Sequence, residues 1–315
     1  MSAARQRTNP QFGSEHRHRL RPATSNLGEE LAVCFHNTRA RSRNAEGIMK
    51  TILSLTAAIL VSFTLSQAVP VSIGSLSGEE IMRRVNARPH GDASRMQMEM
   101  TIRDAKRGEF HKSIVMERAR LASGYRTEYR ITAPDHENGI GLLISEDAAQ
   151  RGMWMYFPGS HQVVRVATRG FPALASDFTC EDMQVDVPLD EYDFRIVGHD
   201  RLDGFATVKV EMKPHSERLR SELGFSRSVG WVRTDLPMIV RADYYDENDT
   251  VFKTFLAQEV ERIQGIWTAR KVVMQNLRIQ HATEVRVLDA DYSVRVPEDL
   301  LTPGKLSTGP GAPPK

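Results

Sequence analysis

The chain has 315 residues, with 42 Lys and Arg against 40 Asp and Glu, a net charge of +2 and 40% hydrophobic residues. That length and apolar content suit one large folded domain and exclude a disordered polar chain. The small positive charge comes from the first 48 residues, which hold eight Arg and four Glu; without them and Lys50 the remainder carries 33 basic and 36 acidic residues. The electrostatic footprint of a nucleic-acid binder is therefore missing.

From Met49 the sequence reads MKTILSLTAAILVSFTLSQAV. Lys50 gives a positive start, 52–65 an apolar stretch and Ser66-Gln67-Ala68 a small-x-small cleavage site, the three parts of a secretory signal peptide. The apolar run is well short of the roughly 20 residues of a spanning helix. The expectation is a start at Met49, removal of 49–68 on export, and a mature chain beginning at Val69. Residues 1–48 then reflect a start placed too early, the alternative being a basic arm. Cys34 lies in that early segment, leaving Cys180 as the one mature cysteine. It has no disulfide partner within the chain, no cysteine follows the apolar stretch to carry a lipid anchor, and burial is the expected state of Cys180.

Ser77-Gly78-Glu79-Glu80 is a capping box, and Ile81, Met82 and Val85 share one helical face until Pro89. The period then changes to two. Met96, Met98, Met100 and Ile102 alternate with Arg95, Gln97, Glu99 and Thr101, so the four apolar residues share one face of a strand. A turn at Lys106-Arg107-Gly108 leads to a strand through Ile114 and Met116. Further strands are predicted over 125–132, 141–145, 153–157, 162–166, 192–198, 206–212, 230–234, 239–245, 251–260, 266–276 and 283–289, with short helices near 168–190 and 215–223. The fold class is mainly β: a large curved antiparallel sheet, an unclosed β-barrel, with a few helices plugging its concave face. Such a sheet encloses an apolar, lipid-sized cavity. The Pro/Gly-rich end, 303–315, is expected to be a disordered tail.

The stretch LASDFTCEDM at 174–183 gathers a thiol, a hydroxyl and three carboxylates. Its core, Asp177-Phe178-Thr179-x-Glu181-Asp182, resembles the GSDFSYED motif of the periplasmic outer-membrane lipoprotein-sorting proteins, the family with the LolA-like fold. Trp154-Met155-Tyr156-Phe157-Pro158, Tyr244-Tyr245-Asp246, Ile263-Gln264-Gly265-Ile266-Trp267 and Val296-Pro297-Glu298-Asp299-Leu300-Leu301-Thr302-Pro303 extend the resemblance over nearly all of the mature chain. Ala175 stands where the family has Gly, and Cys180 where it has Tyr. The resemblance implies an unclosed barrel with a helical lid over 69–302, a periplasmic carrier of lipid or lipoprotein acyl chains, and as partners an inner-membrane exporter and an outer-membrane acceptor. A monomer is expected. A lipid-sensing regulatory domain of the same fold, acting through protein contacts, is the alternative.

Catalysis is not expected. A nucleophilic Cys needs a base and an orienting group nearby, and His161 and His199 have no local signature. No zinc or calcium spacing occurs, so neither a metal nor a cofactor is expected, although Asp177, Glu181 and Asp182 remain a conceivable hard-cation set. Ser176, Asp177, Phe178, Glu181 and Asp182 are instead read as a lid or docking loop. Met96, Met98, Met100, Met116, Met153 and Met155, with Met212 and Met274 also on strands, are read as cavity lining, since thioethers re-pack around variable cargo; ordinary core filling is the plainer alternative. Trp154 and Trp267 are cavity candidates against a core-packing alternative. Arg118, Arg120, Arg126 and Arg130 suggest a solvated strand face, or Arg at a cavity mouth pairing with a lipid phosphate or a partner carboxylate.

Overall fold

A computed structural model describes residues 76–308 except Thr168. The expected signal peptide, all that precedes it, and the end of the tail lie outside the described residues. Helix α1 (Gly78–Asn86) starts where Ser77 Oγ accepts the Glu80 amide at 3.2 Å, and buries Ile81, Met82 and Val85. Only half of the capping box forms, because the Glu80 side chain turns to Arg84 at 3.5 Å instead of back to the cap.

The strands are β1 (Ala93–Asp104), β2 (Gly108–Leu121), β3 (Gly124–Ala133), β4 (Gly141–Ser145), β5 (Gly152–Phe157), β6 (Gln162–Arg165), β7 (Tyr192–Leu202), β8 (Phe205–Pro214), β9 (Arg227–Arg233), β10 (Ile239–Tyr245), β11 (Val251–Ile263), β12 (Ile266–Asn276) and β13 (His281–Asp291). A second helix, α2 (Glu217–Leu223), joins β8 to β9. All thirteen strands form one antiparallel sheet in the order β6-β5-β4-β3-β2-β1-β13-β12-β11-β10-β9-β8-β7, which does not close into a barrel. The predicted bounds of β4, β10 and β12 coincide with those observed.

This order dictates the rest. It consists of two meanders, β1–β6 and β7–β13, joined by the pairing of β1 with β13. The chain leaves β6 at one edge and must enter β7 at the other, so residues 166–191 have to cross the whole sheet. They do so over the inner face, where Ala173, Leu174, Phe178 and Cys180 pack on Met96, Met98, Met100, Ile114, Met116 and Met155. At the far side α1 covers the same face of β8 and β9 through Val208, Val210, Met212 and Val232.

On the outer face, Val296, Leu301 and Leu306 pack against Ala119, Leu143 and Tyr156. Strands β3 and β4 are thus covered on both sides, and β4 is buried at every residue. Strand β7, covered on one face, alternates part-buried with exposed along most of its length, as a half-solvated antiparallel strand should.

Two expectations need correction here. The segment from Pro303 to Thr308 is folded into turns, with Leu306 fully buried, because Leu301 and Leu306 are apolar anchors that the Pro/Gly composition conceals. Nor do Arg126 and Arg130 lie on a solvated face. Arg130 is 1% exposed; it bonds the Glu128 carboxylate and donates to the carbonyls of Gly139 and Leu306 at 2.9 and 2.6 Å. The C-terminal segment that seals it is remote in sequence. Arg126 pairs with Asp147 at 2.6 Å.

Candidate functional site

Between α1 and the crossing segment the inner face is not fully covered. A groove of about 730 Å³ remains there, within the usual range for small-molecule sites of roughly 300–1,000 Å³. Its floor comes from inward-facing residues of adjacent strands: Ala242 pairs with Phe255, Phe255 with Met274, and Ala257 with Val272. Val287 and Met96 continue it towards the other meander. Phe255, Val272 and Val287 are only part-buried, so the groove presents apolar surface that the chain itself does not cover.

The carboxylates of the 174–183 stretch tie the crossing segment down. Asp182 accepts from Lys253 Nζ at 2.6 Å, Tyr244 hydroxyl at 3.0 Å, and the Thr179 amide and hydroxyl at 2.7 and 2.8 Å. Burial alone would push its carboxyl up, but the Lys253 charge and the Lys253 and Thr179 hydrogen bonds hold it below the ordinary value. Asp177 meets His281 Nδ1 and the Thr283 hydroxyl, both at 2.7 Å. Glu181 accepts the Gly170 amide at 3.1 Å, and burial raises its carboxyl. The three acids thus turn to three different sets of partners instead of converging on one point.

Further along, Glu146 accepts the amides of Val185 and Asp186, each at 3.0 Å, and Asn86 exchanges hydrogen bonds with the backbone of Val187. Lys112 Nζ donates to the Leu174 carbonyl at 2.8 Å. Leu174 and Ala175 sit at φ of 51° and 56°. That left-handed backbone favours glycine, so the Ala at 175 is held against its preference by the bonds around it. Cys180 is fully buried with its thiol pushed up to about 12, first by burial and then by the Glu181 and Asp182 charges. A thiol so far from ionising is a poor nucleophile.

The anticipated residues divide as follows. Ser176, Asp177, Phe178, Glu181 and Asp182 all border the groove, as do Met96, Met212, Met274 and Trp267. Met98, Met100, Met116 and Met155 instead sit in the closed core beneath the crossing segment, with Met153 packed against it. Trp154 faces the other way, because period-two alternation sends it opposite to Met153 and Met155; it joins the outer cluster and stacks with Arg165. The groove also has residues that were not anticipated: Lys253, Phe255, Val272, and at its rim Arg88 and His90. The parity of Phe255 and Ala257 was legible as a shared face. Its place on the floor of the groove was not.

A family model described as an uncharacterized protein matches residues 124–308. Comparison with curated protein sequences finds no match. Among solved structures, the chain is similar to an outer membrane lipoprotein-sorting protein domain from Vibrio parahaemolyticus, with 20% identity, TM-score 0.67, and coverage of 73% of this chain and 97% of that one. It is similar to a DUF1329 family protein from Desulfovibrio piger at 24% identity and TM-score 0.66, again over 73% and 97%. A LolA superfamily protein from Nitrosomonas europaea aligns at 14% identity and TM-score 0.57, over 72% and 98%.

Proposed function

We propose that this chain, which belongs to the family whose model spans residues 124–308 and has the LolA-like fold, is a non-enzymatic carrier that holds the acyl chain of a lipid or lipoprotein in the groove between α1 and the crossing segment. The observation that carries this reading is the part-exposed apolar floor of Phe255, Val272 and Val287 in a groove bordered by the chain's own crossing segment. Each methylene moved there from water gains roughly 0.8 kcal/mol, so an acyl chain supplies its own affinity. The crossing segment, held at Asp177 and Asp182, acts as the lid, and its Ser176–Asp182 stretch meets a partner that opens it. In this reading the mature chain begins near Val69, works as a monomer in the periplasm, receives cargo from an inner-membrane exporter and delivers it towards the outer membrane.

The test compares two charges on one strand. Val272→Glu puts a carboxylate on the groove floor, whereas Gln275→Glu puts one on the exposed outer face. With a fluorescent fatty-acid probe on delipidated protein, the first variant should lose binding and the second keep it, both remaining folded by circular dichroism. Equal binding in the two would remove the reading's physical support.

A further inference from the structure

Three side chains that line the groove have no role in holding an acyl chain. Arg88 follows α1, His90 follows Pro89, and Arg118 projects from β2. Among the described residues neither guanidinium has a carboxylate within ion-pair distance; Arg118 Nε donates to Thr127 Oγ1 at 3.2 Å and its guanidinium also reaches the Tyr129 hydroxyl, while Arg88 donates to the Pro237 carbonyl at 3.3 Å and His90 Nδ1 at 3.4 Å. Arg88 Nε is buried without any partner, and so is Nε2 of His90, which is only 8% exposed.

The chemistry of the set is one-sided. A guanidinium can only donate, so His90 Nδ1 accepts from Arg88 and the ring proton falls on the unpartnered Nε2. Burial, then the charges of Arg88 and Arg118, push His90 down to about 3 against a weaker pull from the Asn86 backbone, which keeps the ring neutral. Asp186 also lines the groove, and its Oδ1 is buried without a partner. Burial raises its carboxyl while Arg118, Arg120 and Arg88 pull it down, so it lies in their field without bonding to either Arg88 or Arg118. What remains is a part-buried array of donors and positive charge, with one carboxylate, Asp186, in its field that neither guanidinium bonds. Unpaired buried charge and unpaired donors are costly, and an oxyanion resolves both at once.

We propose that Arg88, His90 and Arg118 form a head-group subsite that takes a phosphate oxyanion, with the attached acyl chain lying along Phe255, Val272 and Val287. The cargo class is then an anionic phospholipid-like amphiphile. This deepens the carrier reading and rests on it.

The test uses calorimetric titration of the delipidated protein with two ligands of the same chain length, palmitoyl lysophosphatidate and monopalmitoylglycerol, below their aggregation concentrations. The phosphate-bearing ligand should bind roughly tenfold tighter or better, the scale of a charge-assisted hydrogen bond. The Arg88→Gln/Arg118→Gln protein, checked for fold by circular dichroism, should lose that preference and keep its affinity for monopalmitoylglycerol. Asp186→Asn, which removes the competing carboxylate and leaves both arginines in place, should tighten lysophosphatidate binding alone. Equal affinity of the unmodified protein for the two ligands overturns the subsite and leaves the carrier reading standing. Binding of neither overturns both. If inorganic phosphate displaces lysophosphatidate at matched concentration while monopalmitoylglycerol does not bind, the site takes free phosphate and the lipid assignment fails.

Discussion

Met100 and Val272 sit in one lateral row of the sheet, Met100 opposite Val285 and Val285 opposite Val272, all on the inner face. Met100 is 1% exposed beneath the crossing segment, whereas Val272 is part-buried on the groove floor. The strands are of one kind, and the two residues differ in what lies above them. One half of the inner face is sealed by the edge-to-edge connection and works as a core; the other is bridged only at its margins and is left with surface to offer. The groove is a matter of incomplete coverage more than of special lining residues.

Buried charge separates the two halves most strongly. Met100→Glu buries an unpaired carboxylate in the sealed half and should cost on the order of 5 kcal/mol, enough to leave little folded protein in a urea titration. Val272→Glu, one strand beyond Val285, should cost about 1 kcal/mol or less, since its carboxylate reaches the open groove. Similar losses in the two would mean that both halves are closed cores.

Next in size is the tie between the halves. Asp182→Asn leaves Lys253 buried without its carboxylate and should cost about 3 kcal/mol. In the unmodified protein Asp182 is depressed below its unfolded value. Its contribution is therefore fully present above the ordinary Asp pKa of about 3.9 and is lost as pH falls through the folded value. Melting curves taken downwards from about pH 5 should show the unmodified protein weakening and the Asn variant changing less. Parallel profiles would assign the acid sensitivity elsewhere.

Within the sealed half, Cys180→Ser adds a hydroxyl to a closed apolar site and should cost about 1–3 kcal/mol, with probe binding intact in the folded fraction. A loss of binding at unchanged stability would reopen a chemical or docking role for the thiol. The smallest expected effect has the opposite sign: Ala175→Gly relieves a left-handed backbone and should gain about 0.5–1 kcal/mol after the extra unfolded-state freedom of glycine is deducted. Destabilisation by that substitution would show that the Ala175 methyl group packs to advantage.

The strands were legible because alternation is local: Met96, Met98, Met100 and Ile102 share a face whatever covers it, and all four are buried. Which methionines would border a groove and which would sit under a roof was not legible. That depends on the chain having to run from β6 to β7, at opposite edges, a property of strand order that no window of sequence contains. Arg130 failed for the same reason, since Leu306, which helps to seal it, lies 176 residues away. For Arg118 the parity with Ile114 and Met116 already placed it on the methionine face, and a cation at the cavity mouth was one of its two readings. Arg88 and His90 gave no such sign, because they precede the first strand and have no period to follow.

Every strand pairing except that of β1 with β13 joins neighbours in sequence. Each meander can therefore zip up hairpin by hairpin at little loop-closure cost, while the β1–β13 seam must bring together strands from opposite ends of the folded sequence. The groove straddles that seam, with Met96 on one side and Val287 and Met274 on the other. A ligand lying across it binds only the joined sheet, so by mass action it would hold together the pairing of greatest sequence separation. With ligand in the groove, the protein should be cleaved more slowly at the seam by a protease than without it, while the hairpins of either meander stay as labile as before.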